Sequence, residues 1–355
     1  MGEASLIERI AARGDGVTGD GRHVAGGVPG DRVRDDGIII PGPNRTDPVC
    51  RHFGKCGGCQ LQHVAEPALA EFVRDRVVGG LEGQEVPYGD VLPAQLSPPR
   101  SRRRAALTAL RTGKQVAIGF NAAQSNHIVD MRMCPLLLPE LFALIEPVRE
   151  LLATVAQPRR PVKVKLQMLD QGVELILEGV KAEGLDAAMA LQDFAGAHNL
   201  ARFAIDQGEG FEILWQPDPP TMRFGDILVE VPPFAFLQPT AAGQNALIDA
   251  VTKAIGEAGA VATEHRDLFR RPLVPAELNR FGAIILDPPR AGAEEQVKQL
   301  AASTAPVIAY VSCNPASFAR DAKILVEGGY SLDWVQPVGQ FRWSTHVELA
   351  ARFSR

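Results

Sequence analysis

Two apolar runs in the last quarter of the chain stop abruptly at polar residues and proline. They are Ala283-Ile-Ile-Leu-Asp-Pro-Pro-Arg290 and Val307-Ile-Ala-Tyr-Val-Ser-Cys-Asn-Pro315. A short unbroken apolar run suits a parallel strand buried on both faces, and ligands of open α/β sheets gather beyond the C-terminal strand ends. Asp287 and Cys313 stand at those ends. After Cys313, Asn314 can cap a helix and Pro315 suits its first turn; Phe318, Ala322 and Leu325 share a face, and Gly328-Gly329 stops it. From Pro232 onward the alternation recurs, with a helix from about Thr240 to Glu257 and strands near Val261, Ile284, Ile308, Leu332 and Val347. That spacing predicts a doubly wound α/β sheet.

Upstream the periods differ. Leu6 to Ile10 reads as a strand, Asp15-Gly16 and Asp20-Gly21 as hairpin turns, and Val24 to Val33 returns through Gly26-Gly27 and Pro29-Gly30. Gly14-x-Gly16-x-x-Gly19 matches a dinucleotide fingerprint in letters only, since no βαβ unit surrounds it. Pro41 to Arg45 reads as a linker. A helix is predicted around Pro67 to Val78, with Leu69, Phe72, Val73 and Val77 on one face. Short strands follow at Val116 to Phe120 and His127 to Met131, then a hairpin of Val162 to Met168 with Val173 to Leu177. A helix over Leu185 to His198 and strands at Phe211 to Gln216 and Ile227 to Val231 complete this stretch. The predicted parts are a β module over 1–45, an α+β domain over 46–230 and an α/β domain over 231–355.

Composition, at 46% hydrophobic and 22% charged residues, is that of a globular chain. No apolar run approaches the ~20 residues of a membrane helix, and Met1 to Leu6 lacks the apolar core of a signal peptide. The expectation is a cytoplasmic protein with no membrane partner and no obligate protein partner. Charge changes the picture more. The chain carries a net -5, yet Val91 to Val129 holds no Asp or Glu while Arg100, Arg102, Arg103, Arg104, Arg111 and Lys114 contribute six positive charges. Such a strip suits phosphates of RNA or DNA, the bland alternative being a solvated strand face.

Four of the five cysteines form a set: Cys50, Cys56 and Cys59, spaced C-x5-C-x2-C on a glycine-rich loop, and Cys134 further on. Disulfides are rare in the cytoplasm. Thiolate ligation suits either zinc or an iron–sulfur cluster, and spacing does not choose between them.

These residues together resemble the S-adenosylmethionine-dependent RNA 5-methyluridine methyltransferases. The resemblance touches every region: a shortened TRAM-like RNA-binding start, the Cys-Gly-Gly-Cys-Gln-Leu-Gln-His loop, Phe236-Leu-Gln-Pro-Thr240, Asp287-Pro-Pro-Arg-Ala-Gly292, Ser312-Cys-Asn-Pro315 and Thr345-His-Val-Glu348. It implies a Rossmann-like class I methyltransferase domain beside the α+β domain and the small β-barrel-like module. It implies a [4Fe–4S] cluster on Cys50, Cys56, Cys59 and Cys134, and RNA contact by Arg100, Arg102, Arg103 and Arg104. Cys313 is implied as the nucleophile that adds to uracil C6, and Glu348 as the base that removes the C5 proton. Gln238, Asp267 and Asp287 are implied to contact the cofactor, or, for Asp287, the flipped uracil. The TRAM-like start and the cysteine set are similar to the ribosomal RNA branch more than to the tRNA branch.

One departure stands out. The family places a strand, a glycine-rich cofactor loop and a second strand with a ribose-binding carboxylate after the Phe-Leu-Gln-Pro-Thr helix. Here Ile255 to His265 passes straight to the next expected strand. A strand–helix–strand unit takes roughly 30 residues, so a whole block is missing. Two readings follow: an RNA uracil-C5 methyltransferase, for which the resemblance implies 23S rRNA as substrate, or a non-catalytic iron–sulfur RNA-binding protein.

Overall fold

The computed structural model describes residues 4–181, 184–208, 210–256, 259, 261–262, 264 and 266–355. The chain forms two compact units, one of Met1–Asp47, Leu61–Ser97 and Ala242–Arg355, the other of Pro48–Gln60 and Pro98–Ala241. The expected division at 45/46 and 230/231 does not coincide with them, because residues 61–97 join the unit of the C-terminal sheet.

In the first unit, the opening residues fold into a five-stranded sheet ordered His23–Val24, Gly16–Thr18, Ser5–Ile10, Arg32–Val33, Ile39–Ile40. So few residues build only a small core, centred on Ile7, Val24 and Val33. Buried Asp31 closes the module: its carboxylate accepts from the Val28 and Gly42 amides, both at 2.8 Å, and from Arg45 Nη2 at 2.5 Å.

The same unit holds a second, six-stranded sheet. Its main path runs Ile284–Leu286, Val307–Ser312, Glu348–Ser354, Ser331–Gly339, Asp90–Val91, with Gln95–Leu96 also paired to Ser331–Gly339. The first pair is parallel and Glu348–Ser354 lies antiparallel between its two neighbours. Ile284–Leu286 is an edge strand. Beneath the sheet, helix Pro315–Glu327 buries Phe318 against Tyr310 and Phe353, at ring distances of 5.4 and 6.1 Å. Helices Glu66–Gly83 and Glu294–Ala301 pack against that helix.

Three expectations change. The helix expected to reach Glu257 is Ala241–Ile255, and Glu257 lies outside the described residues. Val261 is 78% exposed and belongs to no strand, so its apolar character does not reflect a buried position. The strand expected at His127 to Met131 is reduced to an isolated bridge between Ile128 and Asn121, although the Val129 and Met131 amides still donate to the Phe120 and Ile118 carbonyls at 2.9 and 2.8 Å.

The second unit is built on a six-stranded sheet ordered Phe211–Trp215, Arg202–Asp206, Gly172–Glu178, Pro161–Leu169, Arg104–Thr112, Gln115–Gly119. Val162, Val164 and Leu166 alternate inward with Lys163 and Lys165 outward, as a strand buried on one face requires. Helices Ile145–Val155 and Leu185–Ala197 contribute Val148, Leu152 and Leu191 to the core beneath. Among the described residues no helix is long and apolar enough to cross a membrane.

Candidate active site and cysteine loop

Strand Val307–Ser312 delivers Cys313 to solvent and hands over at once to helix Pro315–Glu327. Asn314 makes that turn. Its Oδ1 accepts from the Ala316 amide at 3.2 Å, capping the helix, and its Nδ2 donates to the Arg290 carbonyl at 3.0 Å. Ser317 Oγ donates to the same carbonyl at 3.1 Å, so the loop carrying Asp287 is tied to the loop carrying Cys313. Gly292 permits this: its φ is +85°, and a Cβ there would fall 2.6 Å from both Arg320 Nη2 and Asp321 Oδ2. Buried Asp321 accepts from the Ala293 amide at 2.7 Å, Tyr310 Oη at 2.5 Å and Arg320 Nη2 at 2.6 Å.

Cys313, Glu348 and Asp287 come together electrostatically. Burial, then the Glu348 charge, pushes the Cys313 thiol above its ordinary range; Asp287 adds to this and Arg290 opposes it. Burial lifts Glu348 to about 7, against a hydrogen bond with Gln340, and the Asp287 charge adds to the lift. Asp287 is itself raised by burial, although its side chain keeps contact with solvent at the strand end. The Glu348 carboxyl, at about 7, is poised to give or take a proton near neutral pH, beside an accessible sulfur. Sequence reasoning missed Asp321, Tyr310 and Gln340, which support the site through tertiary bonds that no local pattern announces.

The residues expected to touch a methyl donor are less well assembled. Asp267 is in the unit of Cys313 but half exposed, bonded to its own turn through the Phe269 and Arg270 amides at 3.1 and 3.2 Å. Gln238 is in the other unit, where its carbonyl accepts from Arg103 Nε at 3.0 Å. Between Ala241–Ile255 and Ile284–Leu286, the described residues contain helix Pro275–Leu278 and no strand. A glycine-rich cradle between two strands is therefore not formed by them, and the residues present do not fit S-adenosylmethionine in the expected way.

The four loop cysteines share the second unit. Cys50 is buried, and Cys56, Cys59 and Cys134 are half-buried. Burial raises the thiols of Cys56 and Cys134, and the charge of Cys50 raises both further. The Arg102 guanidinium, pulled down by burial, is pulled back up by Cys134 and Cys59. Cys50, Cys56 and Cys134 thus lie within reach of one another's charge, and Cys134 and Cys59 within reach of the Arg102 cation. Among the described residues, no three His, Cys, Asp or Glu side chains form a group that could hold a single metal ion.

The arginine strip divides. Arg100 is exposed, at φ +54°. Arg102 faces the thiols and donates from Nε to the Arg104 carbonyl at 3.0 Å. Arg103 is 7% exposed and held by Gln238. Arg104 lies half-buried with its guanidinium 4.5 Å from the Phe234 ring and 5.3 Å from that of Phe236. A single phosphate-facing strip is not what these side chains form.

Comparison with known proteins adds the following. The family described as tRNA (Uracil-5-)-methyltransferase matches residues 244–355. An uncharacterized RNA methyltransferase of Zymomonas mobilis subsp. mobilis is 40% identical, over 98% of this chain and 99% of its own length. The 23S rRNA (uracil(1939)-C(5))-methyltransferase RlmD of Thiobacillus denitrificans is 29% identical, over 90% of this chain and 88% of its own. The Pyrococcus abyssi tRNA (uracil-54, C5)-methyltransferase, solved with S-adenosyl-L-homocysteine, shares the fold at 20% identity, with a TM-score of 0.71 over 99% of this chain and 100% of that one. The Zymomonas alignment spans 393 positions against 355 residues here, so at least 38 positions (393 less 355) have no counterpart in this chain.

Proposed function

Because this chain belongs to the S-adenosylmethionine-dependent RNA uracil-C5 methyltransferases, we propose that its site activates C5 of a uridine in RNA, of the ribosomal class, for methylation. The observation that carries the reading is solvent-accessible Cys313 beside buried Glu348, whose carboxyl titrates at about 7. As a thiolate, Cys313 bonds to uracil C6, and the electrons of the C5–C6 double bond move into an enolate that makes C5 nucleophilic. Once C5 is methylated, Glu348 removes its proton, the double bond re-forms and the sulfur–C6 bond breaks. Asp287 faces the same base. The base must leave its stack to reach Cys313, which favours looped or single-stranded RNA.

S-adenosylmethionine is the family's methyl donor and would supply the methyl group, although the described residues form no glycine-rich cradle for it. For the cysteine loop we propose a [4Fe–4S] cluster on Cys50, Cys56, Cys59 and Cys134. What supports the reading is the thiol chemistry of the donor set: the Cys50 charge reaches Cys56 and Cys134, and Arg102 faces Cys134 and Cys59 as countercharge. Its part is to order the loop, as the reaction needs no electron transfer.

Among the described residues no strand pairs with the outer edge of Ile284–Leu286, which favours a second reading, an iron–sulfur RNA-binding protein without methyl transfer. Anaerobically purified protein, given labelled S-adenosylmethionine and unmodified large-subunit rRNA, separates the two. Label on uracil C5 that Cys313→Ala abolishes supports the first. RNA binding without any label supports the second.

A further inference from the structure

The outer face of the second unit's sheet carries alternating aromatic and cationic side chains. The Phe211 ring lies 5.7 Å from Lys165 Nζ, which lies 5.1 Å from the Phe234 ring. Phe234 is 4.5 Å from the Arg104 guanidinium, and Arg104 is 5.3 Å from Phe236. The order is ring, cation, ring, cation, ring.

Register builds this ladder. Gln167 pairs with Arg104 and Lys165 with Ala106, so Lys165 and Arg104 rise from the same face on adjacent strands. Phe211 opens the edge strand Phe211–Trp215. Phe234, at φ +50°, is held over the sheet by its amide, which donates to Glu174 Oε2 at 3.1 Å. Glu174 is buried and paired with Arg202 at 2.7 Å, so the central ring has a rigid support.

The ladder is open to a ligand. Phe236 is 73% exposed and Phe211 40%. The Arg104 guanidinium shares the charge of buried Glu174, which Arg202 already pairs, and Lys165 is shared with Glu178, so each cation has a carboxylate partner and would meet a phosphate beside it. Rings that offer free faces beside cations match a polymer that alternates bases with phosphates. In a duplex the bases already stack on one another and leave no face for the rings.

We propose that this ladder is a binding track for single-stranded RNA, with bases stacking on Phe211 and Phe236 and phosphates meeting Lys165 and Arg104. It rests on the RNA reading of the proposed function and extends it to a surface defined by Lys165 and Phe211.

The test measures affinity of the full chain for an oligouridylate of about 12 nucleotides, and for the duplex of the same length, over a range of salt. The parent should prefer the single strand. Phe211→Leu should weaken single-strand binding by about 10- to 100-fold, and Phe211→Trp should restore it. Lys165→Gln and Arg104→Gln should each reduce the slope of log affinity on log salt by about 0.7. Variants that bind the single strand as the parent does, or Phe211→Trp as weak as Phe211→Leu, would overturn the ladder alone. A parent that binds neither RNA would overturn the ladder and the RNA reading together.

Discussion

Cys313 stands at a strand end with the Glu348 carboxylate close enough that, after burial, its charge is the larger force raising the thiol. A sulfur held mostly as the thiol by an adjacent carboxylate reacts when that carboxylate is protonated or has accepted its proton.

Removing the sulfur should end the chemistry. Cys313→Ala is expected to bring methyl transfer below detection while RNA affinity, measured by filter binding, stays within about threefold, since a single exposed thiol adds little to phosphate-dominated binding. An active Cys313→Ala protein contradicts the mechanism.

Removing the base should slow turnover differently. Glu348→Gln should lose roughly 10²- to 10⁴-fold in kcat, with RNA affinity kept. In the parent, release of the methylated RNA should accelerate as pH rises through about 7, where Glu348 becomes the carboxylate. The pH profile of the Gln variant should lack that step.

The same carboxyl should cost stability. Its ordinary value is 4.5 and its folded value about 7, so between these the folded state keeps a proton that the unfolded chain releases. Stability from this group thus declines as pH rises through that window. At pH 8 Glu348→Gln should be more stable than the parent by up to roughly 3 kcal/mol, and at pH 4 the two should match, as read from urea denaturation.

Asp321 should be worth more than its distance from the chemistry suggests. It is buried and joins Tyr310, Arg320 and the Ala293 amide. Asp321→Ala should destabilise by about 3–5 kcal/mol, with a fall in kcat because the Asp287 and Cys313 loops lose their common anchor.

The cysteine loop predicts a spectrum. Anaerobic protein should be brown, and Cys134→Ala should lose the colour and weaken RNA binding or folding. Full RNA affinity in the colourless protein contradicts a loop-ordering role.

The Cys313 region was legible because every local signal agreed: an apolar strand, an Asn cap, a Pro in the first turn and a Gly stop, all realised in Val307–Ser312 and Pro315–Glu327. Asp90–Val91 and Gln95–Leu96 were not legible, since two-residue strands carry no period and owe their place to Ser331–Gly339. The arginines misled for a related reason. Charge counts do not reveal direction, and Arg102 and Arg103 point to thiols and a carbonyl. Phe211 and Lys165 lie far apart in sequence and meet only through strand pairing. Val261 had the composition of a strand and no partner to pair with among the described residues.

The central claim is a covalent bond between Cys313 and a uracil of RNA. The most direct measurement incubates Glu348→Gln protein with rRNA and S-adenosylmethionine under anaerobic conditions, denatures it, and maps any RNA-linked peptide by mass spectrometry. The account predicts a denaturation-resistant species whose modified peptide contains Cys313, absent when Cys313→Ala is added. No such species, or attachment through another residue, would contradict it.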